Sequence, residues 1–171
     1  MKHNDSLNEA FERGMDSFVN EDFSESVEEF TKAIEIDPDF ALTYASRGAA
    51  LMKMHRFEES IEDFEKAIEL DPDYPKTYHL RGLARIELED HEGALEDFGN
   101  AIDLDPDYGQ AYYSRAALQI KLGREDLATE DIQMVQVLTE MNTQAFANEN
   151  NIWRSEQLCL EEMGVADPMD R

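Results

Sequence analysis

Residues 41–74, ALTYASRGAALMKMHRFEESIEDFEKAIELDPDY, and residues 75–108, PKTYHLRGLARIELEDHEGALEDFGNAIDLDPDY, are two versions of one 34-residue unit. Laid over each other they match Tyr44 with Tyr78, Arg47 with Arg81, Gly48 with Gly82, Phe64 with Phe98, Ala67 with Ala101 and Pro72 with Pro106. The period continues outward in both directions. Gly14, Phe30, Ala33 and Pro38 define a unit at 7–40, and Ala116, Ile132 and Val135 mark a degraded fourth at 109–142. Recurrence at a fixed period of a few tens of residues signals a stacked-repeat architecture, in which neighbours cover each other's apolar faces.

Each unit reads as two helices. The first carries apolar residues at helical spacing and runs into a polar turn such as MHRFEE (54–59) or LGREDL (122–127). The second stops at Asp37-Pro38, Asp71-Pro72 or Asp105-Pro106, because proline disfavours a helical residue before it. Ser6 with Glu9 has the spacing of a capping box that begins the first helix. Gly14, Gly48, Gly82 and Ala116 fall mid-helix opposite Ser26, Ser60, Ala94 and Ala128, so close backbone approach is expected there. Phe30, Phe64 and Phe98 then fill the space between units, with Tyr44, Tyr78 and Tyr112 from the first helices. Arg13, Arg47, Arg81 and Arg115 recur in step with Glu29, Asp63, Asp97 and Asp131, which predicts a repeated ion pair between packed helices.

The ordered rows of aromatic, Gly, Ala, Phe, Ala and Pro over residues 7–142 resemble the tetratricopeptide repeat (TPR) family. The resemblance implies an all-α, right-handed α-solenoid of four helix-turn-helix units (7–40, 41–74, 75–108, 109–142) behind a short lead-in at 1–6. It also implies a C-terminal capping helix at 143–163, whose apolar stripe is Phe146, Ile152, Trp153, Cys159, Leu160 and Met163, followed by a mobile tail at 164–171. The fourth unit departs from the pattern, with Ala116 in place of Gly and Glu140 where the proline belongs, as suits a terminal unit.

Composition narrows the function. Forty acidic and 15 basic side chains leave a formal charge of -25. Such an excess repels phosphate backbones and anionic lipid, so neither nucleic acid nor membrane is an expected partner. No apolar run reaches the roughly 20 residues of a membrane span, and the N-terminal stretch lacks the apolar core of a secretory signal, so a cytoplasmic protein is expected. The single cysteine, Cys159, forms no internal disulfide. Catalysis has no visible basis: there is no Gly-rich phosphate loop, no HExxH, no Gly-x-Ser-x-Gly, and His3, His55, His79 and His91 follow no ligand or triad spacing. The DPDF and DPDY segments lack the surrounding loop of a calcium site, so no metal and no cofactor are expected.

The first helices hold more apolar surface than stacking needs. Beyond the Tyr and Gly rows they carry Phe11, Met15, Phe18, Met52, His79, Leu83, Ile86, Tyr113 and Ile120, with Lys76 among them. In TPR proteins that second side lines the concave surface, where extended peptides or partner helices bind. These ten residues are therefore the candidate partner-binding groove, with His79 and Tyr113 able to hydrogen-bond a passing backbone. The reading is a non-catalytic scaffold that takes a protein or peptide with hydrophobic anchors and basic flanks, several anchors being needed for useful affinity. The alternative is self-assembly into a homo-oligomer through the groove, an array end or the C-terminal helix. Some TPR domains clamp the acidic C-terminus of heat-shock chaperones with Lys, Asn and Arg; the matching places here hold Phe11, Met15, Ser46, Lys76 and Leu80, of which Lys76 alone fits.

Overall fold

The computed structural model describes the backbone of residues 2–162 and the side chains of residues 5–144. Eight helices and no strand occupy the described residues: α1 Lys2–Val19, α2 Phe23–Ile36, α3 Ala41–Lys53, α4 Phe57–Leu70, α5 Pro75–Glu87, α6 His91–Leu104, α7 Gly109–Lys121 and α8 Glu125–Glu162. They pair as α1/α2, α3/α4, α5/α6 and α7/α8, and each pair stacks on the next through α2 on α3, α4 on α5 and α6 on α7. The further contacts of α1 with α3 and of α3 with α5 join the first helices into an inner layer. The molecule is an α-solenoid of four helix-turn-helix units.

Local chemistry sets the breaks. The Asp37, Asp71 and Asp105 amides bond back to the carbonyls of Ala33, Ala67 and Ala101, and the proline that follows each aspartate cannot extend the helix. Within units the turn is made by one left-handed residue that also recurs at the period: Glu21 (φ 65°), His55 (59°), Glu89 (61°) and Gly123 (73°). A left-handed residue after the last helical turn closes it by satisfying terminal carbonyls.

Phe30, Phe64 and Phe98 are fully buried, and each ring lies against the backbone of the glycine sixteen residues before it. A Cβ built at Gly14, Gly48 or Gly82 would fall 2.7, 2.8 or 2.7 Å from the ring. Close approach is thus what retains glycine mid-helix against its cost of about 1 kcal/mol relative to alanine. Ser26 adds a hydrogen bond of 2.9 Å to the Gly14 carbonyl.

The arginine row pairs as expected in three units: Arg47 with Asp63, Arg81 with Asp97 and Arg115 with Asp131, each bidentate. Each guanidinium also lies over the ring of the Tyr three residues earlier, at 5.9, 5.7 and 5.8 Å from Tyr44, Tyr78 and Tyr112. The first unit differs. Arg13 pairs with Glu9 one turn before it, and Glu29 pairs with Lys32, so the expected Arg13–Glu29 bond is not formed. The acidic partner differs too: Glu29, one methylene longer, stands where the other units have Asp63, Asp97 and Asp131.

Two boundaries also shift. Nothing in the sequence before Leu7 breaks a helix, and α1 begins at Lys2, so Ser6 and Glu9 lie inside it rather than at its cap. At the other end α8 runs unbroken from Glu125 to Glu162, with no turn between residues 142 and 143. Glu140 stands where the earlier units place the proline that stops a second helix, and no Gly or Pro interrupts α8. The side chains of Phe146, Ile152, Trp153, Cys159 and Leu160, together with Met163 and the tail at 164–171, lie outside the described residues.

Candidate functional site

The inner layer forms one long cavity of about 410 Å³. Its floor is apolar: Met15 and Phe18 from α1; Leu42, Ala45, Ala49 and Met52 from α3; Leu80 and Leu83 from α5. Met15 and Leu42 each remain 40% exposed, so stacking does not seal this face. Lys53 and Lys76 also line it, and no Asp or Glu does.

The lysines stand apart from the other cations. Arg13, Lys32, Arg47, Arg56, Lys66, Arg81, Arg85, Arg115 and Arg124 each hold a carboxylate. Lys53, Lys76 and Lys121 have no carboxylate partner among the described residues, and all three belong to first helices. In a chain of charge -25, two of these three lysines, Lys53 and Lys76, line the groove.

Of the ten residues the sequence singled out, Met15, Phe18, Met52, Lys76, His79 and Leu83 lie together on this lining. Phe11 does not. Its ring is held between Phe30 and Phe40, at 5.5 and 5.7 Å, and is spent on packing the first unit. Ile86, like the rear of Leu83, packs on the cluster of Ala94, Phe98 and Leu118. Tyr113 is 68% exposed and lines a neighbouring cavity of about 580 Å³ between α7 and α8, which His79 borders as well. Ile120 is 52% exposed and borders neither of these two cavities.

His79 is placed differently from the free hydrogen-bonding group the sequence suggested. It is buried, with Nε2 2.9 Å from the Ser114 hydroxyl and Nδ1 3.2 Å from the Tyr108 hydroxyl, so both ring nitrogens are engaged inside the molecule. Burial, reinforced by the Lys76 charge, pushes its imidazole down from 6.5 to about 4, and the ring is neutral near pH 7. It fixes unit four to unit three at the edge of the groove.

Sequence reasoning missed Tyr74 and Tyr108, which extend the lining from the DPDY segments. Both occupy the position just before a first helix. An aromatic at that cap position, recurring as Phe40, Tyr74 and Tyr108, was the available signal. Among the described residues no group of three or more His, Cys, Asp and Glu is arranged to hold a metal, and no helix is long and apolar enough to cross a membrane.

Family models described as tetratricopeptide repeat or TPR repeat match residues 20–40, 41–74 and 82–123, together more than half of the chain. The chain belongs to the tetratricopeptide repeat family. Solved TPR-type structures agree with the fold. MamA 41-end from Desulfovibrio magneticus RS-1 superposes with a TM-score of 0.74 at 21% identity, covering 79% of this chain and 76% of that one. The second TPR domain of human RPAP3, solved in complex with the HSP70 peptide SGPTIEEVD, gives 0.66 at 29% identity, covering 68% and 98%. The Arabidopsis OM64 TPR domain gives 0.66 at 27% identity, covering 68% and 97%. A comparison with curated proteins finds no match.

Proposed function

We propose that this TPR chain is a protein-interaction scaffold whose inner groove holds an extended or helical segment of another protein. The observation that supports it most is the contrast between the lining and the rest of the surface: an apolar floor with two unpaired lysines and no carboxylate, on a chain of charge -25. Hydrophobic anchors suit the floor, and a carboxylate on the bound segment suits Lys53 and Lys76. Basic flanks suit the acidic shell outside. The human RPAP3 domain in complex with SGPTIEEVD offers a precedent for a TPR domain taking a peptide that is both apolar and acidic. This groove lacks the full set of clamp residues, so a chaperone C-terminus is not its expected ligand.

The test uses fluorescence polarisation with labelled twelve-residue peptides carrying Phe or Leu anchors around a central Glu, Gln or Lys. The Glu peptides are expected to bind at tens of micromolar, with Lys53→Glu/Lys76→Glu weakening them at least tenfold and Met15→Glu lowering binding of every peptide. These positions are preferable to Leu83 and Ile86, whose packing on Phe98 confounds binding with stability. No binding across the set, or binding unchanged in both variants at unaltered helicity, removes the groove as the site.

A further inference from the structure

The exposed face of α8 breaks the pattern of the earlier second helices. Leu127, Met134, Val137 and Met141 are 50%, 37%, 48% and 59% exposed. One unit earlier the same positions hold Gly93, Asn100, Asp103 and Asp107; two units earlier, Glu59, Lys66, Glu69 and Asp73; three units earlier, Glu25, Lys32, Glu35 and Asp39. In the second unit two of them form an ion pair in water, Lys66 to Glu69 at 2.9 Å. Positions that are exposed in the first two units, and polar or glycine in the third, have become apolar in the fourth, all four at once.

The four side chains share one stripe. Leu127, Met134 and Met141 are spaced by seven with Val137 three beyond Met134, the arrangement of a seam between two helices. They lie beside the buried face of Ala128, Asp131 and Leu138 that holds α8 to its own array, so the stripe is surplus to that packing. Leu127 sits among Glu125, Asp126 and Glu130, but charge is stripped from the segment that holds the other three: residues 132–144, IQMVQVLTEMNTQ, contain one ionised side chain, Glu140, in a chain where 32% are charged.

We propose that this stripe pairs with the α8 stripe of a second copy of the chain. Charge decides between occupants. A basic partner would be drawn by carboxylates around the patch, and here they have been removed. Two chains of -25 each need the opposite, a face with few carboxylates, and residues 132–144, which carry Met134, Val137 and Met141 and whose one carboxylate is Glu140, provide it. A straight seam is also self-complementary about a two-fold axis and needs no matching cavity. The stripe is about 21 Å long, at the small end for a specific interface, so the dimer forms at tens of micromolar rather than nanomolar. It uses none of the groove lining and does not rest on the groove reading.

Sedimentation equilibrium of the full chain from 5 to 300 μM, in 50 and 500 mM NaCl, tests it. The expected result is a monomer–dimer equilibrium that tightens in high salt, as screening relieves the remaining repulsion between like-charged copies. Met134→Glu/Val137→Glu is expected to weaken it at least tenfold with helicity unchanged. Leu127→Gln/Met141→Gln, which adds no charge, repeats the test should the first variant lose helicity. A monomer throughout, a dimer weakened by salt, or a dimer indifferent to both variants overturns the proposal. A dimer lost only in the groove variant Met15→Glu overturns it too, by placing the contact elsewhere.

Discussion

Units three and four follow the same register into different surroundings. His79 is buried while Tyr113, its counterpart, is 68% exposed; Ile86 packs on Leu118 while Ile120 is 52% exposed; Phe98 is fully buried while Ile132 is 41% exposed. Each position of unit three is covered because unit four stands against it, and among the described residues no further helix pair stands against the same positions of unit four. The Arg–Asp pair and the small residue opposite it are kept in both. One set of positions builds a helix pair; another records what lies next to it. In a solenoid, burial is a property of position in the stack as much as of position in the repeat.

The shared ion pair offers the sharpest way to break that comparison. The Asp97 side chain is 0% exposed and receives both Arg81 and Arg85, whereas Arg115, which holds Asp131, is 26% exposed. Burial pushes the Asp97 carboxyl above the ordinary aspartate range against the pull of Arg81, a sign of how dry the site is. Asp97→Ala leaves Arg81, 13% exposed, without its buried carboxylate and is expected to cost about 3–5 kcal/mol in urea unfolding followed by helical circular dichroism. Asp131→Ala leaves Arg115 able to reach water and should cost about 1–2 kcal/mol. Equal losses would mean that both pairs sit in the same environment.

His79 and Tyr113 give a second, smaller contrast, read through pH. The folded imidazole titrates at about 4, below the unfolded value of 6.5. The stabilising balance is therefore fully present above pH 6.5 and is lost as pH falls toward 4, because the unfolded chain takes up its proton first. Between pH 7.5 and pH 5 this group should remove about 2 kcal/mol of stability. His79→Gln should flatten that part of the curve by the same amount. Tyr113→His, at the exposed register position, should add no comparable slope; urea titrations of the three proteins at both pH values decide it.

How much of this was legible beforehand follows the same division. The period, the close approach at the glycines and three of the four arginine pairs are properties of the repeat and are carried by spacing, whereas the Phe row, expected between units, lies against the glycine of its own unit. Tyr under Arg was equally available, three residues apart, once the helix was assumed. Context is not legible in this way. Phe11 reads as groove surface and is held by Phe40 from the loop after α2, and His79 reads as free but is engaged by Tyr108 at the end of its own unit and by Ser114 of the next. The continuous α8 is half visible in the sequence, since Glu140 replaces the stop while the period places a boundary at 142.

The Gly–Phe contact allows the comparison to be sharpened by transplantation. Unit four replaces Gly and Phe by Ala116 and Ile132, and unit three can be given the same pair. Gly82→Ala alone puts a methyl 2.7 Å from a ring with no room to retreat, so roughly 1–3 kcal/mol of overpacking outweighs the ~1 kcal/mol gained in helix propensity. Phe98→Ile alone leaves unfilled volume beside Gly82. In the double variant the new methyl occupies part of that volume, so the two losses should fall short of their sum by about 1 kcal/mol, the usual scale for side chains in direct contact. A cycle of four urea titrations measures this coupling. Strict additivity would show that glycine is kept at these positions for a reason other than the ring, and that the fourth unit lost its phenylalanine independently of its glycine.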